Sequence, residues 1–283
     1  MGKALFDASD TARQLFETAN RLVGFDLAAV CFAGPQERLN QTDISQPAMY
    51  VVGVASYQDA VEKGSFDAGA VAALAGLSLG EYTALHLAGV FGFEQGLHLV
   101  AQRGKYMQEA AVASPSGMIA LIGADEAAAT RLCEKAAGGE VLVPANFNAP
   151  GQIVLSGSSG ACKRAMEACE SEGIRATPLK VAGAFHSPLM AAAAQKMKRE
   201  LAAVPFAPPR QQVYCNVTAQ PHGDVESIKT RLVEQIVSPV RWEQTMLALL
   251  AEPAGRFIEL SPGRTLAGLA KRINRRLAVE NLG

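Results

Sequence analysis

The sequence has no surplus of charge. Its 26 Lys and Arg are matched by 27 Asp and Glu, a formal net charge of −1, so it lacks the strongly basic domain or stripe of a nucleic-acid binder and implies no polyanionic partner for the chain as a whole. Cysteine is sparse and unpatterned: Cys31, Cys133, Cys162, Cys169 and Cys215 form an odd, scattered set without a C-x-x-C. That argues against a disulfide framework or a zinc site and favours a reducing compartment, with the thiols serving as small core residues. No charge-free apolar run reaches the roughly 18 residues of a membrane span, and no signal-peptide pattern follows Met1. Internal repeats and low-complexity tracts are absent, and no strand precedes the first helix-like segment, Ala12–Val23. What the chain has in quantity is apolar: 49% of 283 residues are hydrophobic, enough to bury a large core as one soluble globular domain or one carrying an insertion.

Periodicity predicts an α/β organisation. Ala68–Gly76 is small and apolar enough for a buried strand, Glu81–Ala88 and Glu94–Ala113 have helical spacing, and Ser114–Gly117 breaks the pattern. A second pattern then begins. Met118–Gly123 reads as a strand, Asp125–Ala137 as a helix headed by Asp125, Val141–Val143 and Gln152–Ser156 as strands joined through Asn146–Gly151, Ser158–Gly173 as a helix and Arg175–Val181 as a strand. The order β-α-β-β-α-β is that of a ferredoxin-like module. Residues 116–182 are therefore expected as an insertion in a discontinuous larger α/β body made of 1–115 and 183–283, since the module's ends would lie close together.

Three positions carry chemistry. Ser78 sits in A-G-L-S-L-G, a G-x-S-x-G turn between the strand-like and helix-like runs. Such an elbow holds a serine on strained backbone at a helix N-terminus, the local layout of an activated nucleophile, although a glycine-rich turn with an incidental serine has the same pattern. Arg103 lies three residues after Val100 and four before Met107, so it shares their inward face and needs an anion, either a protein carboxylate or a ligand carboxylate gripped by the planar fork. His186 lies in G-A-F-H-S-P-L-M, with Ser187 and Pro188 predicted as N-cap and first position of a helix over Leu189–Ala203. The positive end of that helix favours a neutral imidazole with a free acceptor nitrogen, as a general base requires. His86, His98 and His222 are weaker candidates, two within helices and one in a Q-P-H-G-D turn.

Six ordered motifs now identify a family. G-L-S-L-G-E-Y from Gly76, R-G-K-Y-M-Q-E-A from Arg103, N-F-N-A-P-G-Q-I-V-L-S-G from Asn146, G-A-F-H-S from Gly183, S-P-V-R-W-E-Q-T from Ser238 and E-L-S-P-G-R-T-L from Glu259 together resemble the malonyl-CoA:acyl-carrier-protein transacylases over nearly the whole chain. The resemblance implies an α/β-hydrolase-like catalytic domain with a parallel sheet, and a ping-pong transfer of malonyl from coenzyme A to the phosphopantetheine thiol of acyl carrier protein. By the same resemblance Ser78 is the nucleophile, His186 its base and then acid, Gln235 the backbone carbonyl that orients His186, Arg103 the holder of the malonyl carboxylate and Leu79 an oxyanion-hole N–H. Phe185 matches the malonyl-selective form of its motif, and Asn146 and Asn148 would line the cleft. No cofactor or metal is implied, coenzyme A thioester and carrier protein being substrates. Carrier proteins of this system are acidic, which points to Lys196, Lys198, Arg199, Lys271, Arg272, Arg275 and Arg276 as a docking patch, though each cluster alone could be a solvated face. A monomer is expected, in a bacterial cytoplasm, a mitochondrial matrix or a plastid.

One departure stands out. Family members open with a strand and an F-P-G-Q-G-S-Q turn whose glutamine N–H completes the oxyanion hole, whereas the match here starts just past it, so a central strand and one donor are expected to be missing. Loss of one such donor costs ~3 kcal/mol. Two other classes therefore stay open: a truncated relative that docks carrier protein but turns over poorly, and a serine hydrolase. The hydrolase reading needs an acid between Ser78 and His186, where the only aspartate is Asp125, itself expected to cap a helix.

Overall fold

The computed structural model describes residues 1–253, 255–260 and 262–282; Ser261, within the last of the six motifs, lies outside them. Helices α1 (Lys3–Ala8), α2 (Asp10–Val23), α3 (Leu27–Ala33) and α4 (Gln36–Leu39) pack against α5 (Thr42–Glu62). In α2 the spacing of Ala12, Phe16 and Ala19 makes one buried stripe, and Ser9 caps the helix by accepting from Ala12 N–H. α5 is buried nearly all round, Val51 through Ser56 in succession, which marks it as the central helix of the body. The strand expected over Ala68–Gly76 is confined to β1 (Ala73–Leu74), after a 3₁₀ turn at Ala68–Ala70. Alanine and glycine are poor strand formers, and the single partner pairs over only two residues. Past Ser78 come α6 (Gly80–Leu87) and α7 (Phe93–Ala113), the latter lying along α5.

Strands β2 (Ser116–Ile122), β3 (Leu142–Ala149), β4 (Gln152–Ser158) and β5 (Arg175–Pro178) form an antiparallel sheet in the order β3-β4-β2-β5. Helices α8 (Glu126–Ala137) and α9 (Ser159–Glu172) pack on it over a separate core that includes Leu121, Leu132, Phe147 and Leu155. Asp125 caps α8 through Ala128 N–H. β3 is longer than its composition suggested: pairing with β4 continues past Pro144 by means of two register shifts, and the connection shrinks to a two-residue turn at Pro150–Gly151. Asn146 and Asn148 thus belong to a strand and not to the connection that the sequence predicted.

The chain returns through α10 (Ala191–Ala203), β6 (Gln212–Val213), α11 (Val225–Gln235), α12 (Trp242–Ala251), β7 (Phe257–Glu259), α13 (Thr265–Ile273) and β8 (Val279–Asn281). Parallel pairing in this body consists of two short ladders among the described residues, β1 with β6 and β7 with β8, in place of one extended sheet. A cavity of about 670 Å³ lined by Leu74, Trp242, Met246, Phe257 and Leu266 separates them, and none of Ser78, Arg103 or His186 lines it. The β3 strand is laced to the segment after α11: Phe147 N–H donates to the Val240 carbonyl and Val240 N–H to that of Ala145. No helix among the described residues is long and apolar enough to cross a membrane.

The α5–α7 contact sets the depth of Arg103, because its neighbour Gly104 leaves no room for a side chain. A β-carbon there would fall 2.7 Å from the Thr42 carbonyl oxygen and 2.9 Å from the Asp43 α-carbon, both backbone atoms. Gly268, inside α13, has nothing within 4 Å of the same construction. The two helical glycines should therefore respond with opposite sign to alanine. Gly104→Ala is expected to lower stability by about 1–3 kcal/mol through overpacking, whereas Gly268→Ala should raise it by about 0.5–1 kcal/mol; thermal unfolding of the two variants checks both.

Candidate active site

Ser78 occupies a turn that only a few contacts could hold. Its φ is +53°, the left-handed region that a non-glycine residue avoids, and a β-carbon on Gly76 would lie 2.0 Å from the Gly80 carbonyl carbon, so the elbow closes only with glycine at 76. Asn216, from the segment after β6, clamps the turn from outside: its side-chain oxygen accepts Ser78 N–H at 2.6 Å and its amide donates to the Gly76 carbonyl at 2.7 Å. Leu79 N–H, at the head of α6, has no acceptor among the described residues.

The structure brings His186 and Arg103 to the same hydroxyl. His186 Nε2 lies 2.8 Å from Ser78 Oγ, and Arg103 Nη2 donates to that oxygen at 3.0 Å. The other imidazole nitrogen, Nδ1, is 2.7 Å from the backbone carbonyl of Gln235. A carbonyl only accepts, so Nδ1 carries the proton and Nε2 is left to take one from the serine. No carboxylate stands at Nδ1, and Asp125 is occupied capping α8, which removes the arrangement the hydrolase reading required. His186 also has a positive φ, +56°. The segment after it differs from expectation: Ser187 caps a 3₁₀ turn, Pro188–Met190, and the α-helix begins at Ala191. The neutral imidazole has a different main cause too. Burial and then the Arg103 guanidinium push His186 down to about 4.

Arg103 is 1% exposed, and its partners are neither of the carboxylates weighed for it. Nη1 donates to the side-chain oxygen of Gln46 on α5 at 2.6 Å and Nη2 to that of Gln235 at 2.7 Å, while Nε has no hydrogen-bond partner. The guanidinium lies 5.6 Å from the Tyr82 ring centre. Burial lowers its pKa, and nearby Glu81 works against that shift.

Sequence reasoning missed Gln46, Glu81 and Asn216 and ranked His222 among the weaker histidines. Glu81 accepts from Gln235 Nε2 and Asn216 N–H through one oxygen and from His222 Nε2 through the other; its place in G-L-S-L-G-E-Y was the one available signal. Glu81, Cys215 and His222 are also the group among the described residues whose donor atoms could converge on a cation, lying within 4.8 Å of one another. Of these, His222 Nε2 is already engaged with Glu81 Oε1 at 2.7 Å.

The remaining expected residues are placed as follows. Phe185 packs beside Met118, Ala145 and Val154 of the antiparallel sheet, and its carbonyl accepts from Ser156 Oγ at 2.6 Å. Asn146 is buried on β3, and neither its side chain nor that of Asn148 hydrogen-bonds to Ser78, His186 or Arg103. Lys196 is paired with Glu109 at 2.6 Å and lies over the Tyr106 ring, so it is not a free cation; Lys198, Arg199, Lys271, Arg272, Arg275 and Arg276 are exposed.

A serine on a strained elbow, a neutral imidazole aimed at it and a buried guanidinium beside both are the equipment of an enzyme that carries an acyl group as a serine ester. The chain belongs to the acyl transferase domain family, whose sequence model matches residues 1–278. It is 41% identical over 262 residues to the malonyl CoA-acyl carrier protein transacylase of Salmonella typhimurium, covering 92% of this chain and 84% of that protein. The crystal structure of malonyl-CoA:acyl carrier protein transacylase from Xanthomonas oryzae superposes with a TM-score of 0.94 at 40% identity, over 98% of this chain and 88% of the other. A malonyl-transacylase in complex with a type II polyketide synthase acyl-carrier protein gives 0.94 at 39% identity, over 99% and 90%.

The depressed imidazole fixes the sign of a pH effect. The neutral form is the base, so reactivity of Ser78 with an active-serine reagent should hold down to about pH 5 and be lost as pH falls through about 4. Arg103→Gln removes the repelling charge and should move that midpoint upward. A wild-type midpoint near 6.5, with circular dichroism showing the fold intact, would contradict the assignment.

Proposed function

We propose that this chain takes malonyl from malonyl-CoA onto Ser78 and passes it to the phosphopantetheine thiol of acyl carrier protein. The observation that carries the reading is the meeting of His186 Nε2 and Arg103 Nη2 at Ser78 Oγ, and the names of the relatives supply the acyl group and the acceptor. In the first half-reaction Ser78 Oγ attacks the thioester carbonyl while its proton passes to His186 Nε2. The developing oxyanion rests on Leu79 N–H, and the carbon–sulfur bond then breaks as the imidazolium returns the proton to the departing coenzyme A thiolate. The second half repeats these steps in reverse order with the carrier thiol, which gives its proton to His186 and displaces the serine. Gln235 holds the imidazole tautomer through its carbonyl.

Arg103 holds the free carboxylate of the acyl group by charge-assisted hydrogen bonds. That has a second effect. The guanidinium's charge depresses His186, so a carboxylate that cancels it makes the base stronger at the moment the dicarboxylic acyl group arrives. Phe185, beside His186, limits the bulk of the acyl chain, and Asn146 and Asn148 face the substrate side of the cleft. The sheet order β3-β4-β2-β5 with two helices supports reading 116–182 as a ferredoxin-like insertion that closes over an α/β-hydrolase-like body of 1–115 and 183–283. No cofactor or metal takes part. The exposed cations of α10 and those at the end of α13 and just after it, Lys271, Arg272, Arg275 and Arg276, receive the acidic carrier, and the chain acts as a monomer.

Incubation with radiolabelled malonyl-CoA should label Ser78 in a burst, and the label should chase onto holo carrier protein; an unlabelled protein would sink the reading, and release of free malonate in place of transfer would favour a hydrolase. Arg103→Ala should cut malonyl kcat/KM by about a hundred- to a thousandfold while sparing acetyl transfer. Transfer to carrier should also slow steeply as salt rises from about 0.05 to 0.5 M, more so in wild type than in a Lys198→Ala, Arg199→Ala variant; rates flat with ionic strength would remove the docking patch.

A further inference from the structure

Glu81 is fully buried and lies three residues beyond the nucleophile, yet it touches none of the reacting groups. Two of its three side-chain hydrogen bonds go instead to the residues that hold them. Gln235 Nε2 donates to Glu81 Oε2 at 2.7 Å and to the Ser78 carbonyl at 2.9 Å. With both protons of that amide engaged on acceptors, its oxygen can face only the other way, onto Arg103 Nη2 at 2.7 Å. Asn216 N–H donates to the same Glu81 oxygen at 3.1 Å, which sets the residue whose side chain clamps Ser78 N–H and the Gly76 carbonyl. His222 Nε2, 2.7 Å from Glu81 Oε1 and without exposed side-chain surface, fixes the carboxylate from behind.

The geometry points to Glu81 as a positioning residue for acyl selection: an acceptor at this site orients the Gln235 amide, and the amide aims Arg103 at the acyl carboxylate. The inference rests on the proposed malonyl transfer and names a residue separated from the substrate by two others, Gln235 and Arg103. It separates Glu81 from an ordinary core carboxylate by what its loss would change. A structural role lowers all acylation together. A role passed through Gln235 to Arg103 falls more heavily on acyl groups that carry a carboxylate than on those without one, because His186 keeps the Gln235 backbone carbonyl whatever the side chain does, while any loosening of the Asn216 clamp on Ser78 lowers both alike and leaves their ratio unchanged.

The hydrogen-bond requirement can be told from a requirement for charge. Glutamine at 81 keeps an oxygen for Gln235 and Asn216, and its amide could donate to His222 Nε2 if that ring moved its proton to Nδ1, which has no partner in the structure. Leucine keeps neither. The experiment measures burst acylation of Ser78 by radiolabelled malonyl-CoA and by radiolabelled acetyl-CoA, and reads the ratio of the two kcat/KM values. Glu81→Leu is expected to lower the malonyl-to-acetyl ratio roughly tenfold or more, and Glu81→Gln to stay within about threefold of wild type. An unchanged ratio in Glu81→Leu overturns the inference, as does Glu81→Gln losing the ratio as fully as leucine. Should Glu81→Leu fail to fold, Gln235→Leu decides, because the relay passes through that amide: its ratio must fall to the same extent, and an unchanged ratio overturns the inference. Wild-type protein that malonyl-CoA does not acylate would instead sink the proposed function and this inference with it, whereas wild type active on malonyl with variants of unaltered ratio sinks the inference alone.

Discussion

A guanidinium taken out of water at the junction of α5, α7 and the residues that end α11 is the constraint around which this site is organised. Isolated burial of such a charge costs several kcal/mol, and Arg103 meets no carboxylate directly. Two glutamine side-chain oxygens and the serine hydroxyl accept from it, and the nearest buried negative charge, Glu81, reaches it through the Gln235 amide. Countercharge at one remove leaves the cation solvated by dipoles yet still able to attract an anion. The same charge adds to burial in keeping His186 neutral, so under the proposed function one buried side chain bears both on the acyl group accepted and on the protonation state of the imidazole.

Strain is concentrated in the same place. Among the described residues three non-glycine positions have positive φ: Ser78, His186 and Ala219. The first two meet at 2.8 Å, and Ala219 closes, through its N–H to the Cys215 carbonyl, the tight turn that contains Asn216 and precedes His222. Such conformations cost of order 1–3 kcal/mol each and persist only where surrounding contacts over-determine them. Here the contacts are the Asn216 clamp, the Gln235 carbonyl and the glycine at 76, so geometry at the serine is maintained by rigid neighbours rather than by the turn itself.

How much of this could be read from the residues depends on how local the determinant is. The Ser78 elbow, the inward face of Arg103 and the helix-adjacent His186 were legible because each is encoded within about one turn of chain, and the order of elements between 116 and 182 followed from periodicity. The length of β1 was not, because alanine and glycine read as apolar without specifying pairing. The place of Asn146 and Asn148 was misjudged since the register shifts that extend β3 depend on β4 and leave no mark in composition. Gln46, Asn216 and His222 act across distances of 57 to 141 residues along the chain and belong to no recognisable spacing. His222 in particular read as a histidine in a Q-P-H-G-D turn; only the fold puts its ring against a carboxylate. Even for His186 the expectation of neutrality came from a helix dipole, while burial and Arg103 supply most of it.

The Asn216 clamp has a consequence for biogenesis. Ser78 is made early, but the amide that fixes its backbone is 138 residues downstream and the carbonyl that sets the imidazole lies at 235. Domains fold as units, N-terminal parts first, while the ribosome adds only about 5–20 residues each second. Under the proposed function, a nascent chain therefore presents an ordinary serine until its C-terminal portion has emerged and docked, so thioesters in the surrounding medium meet no armed hydroxyl on unfinished protein.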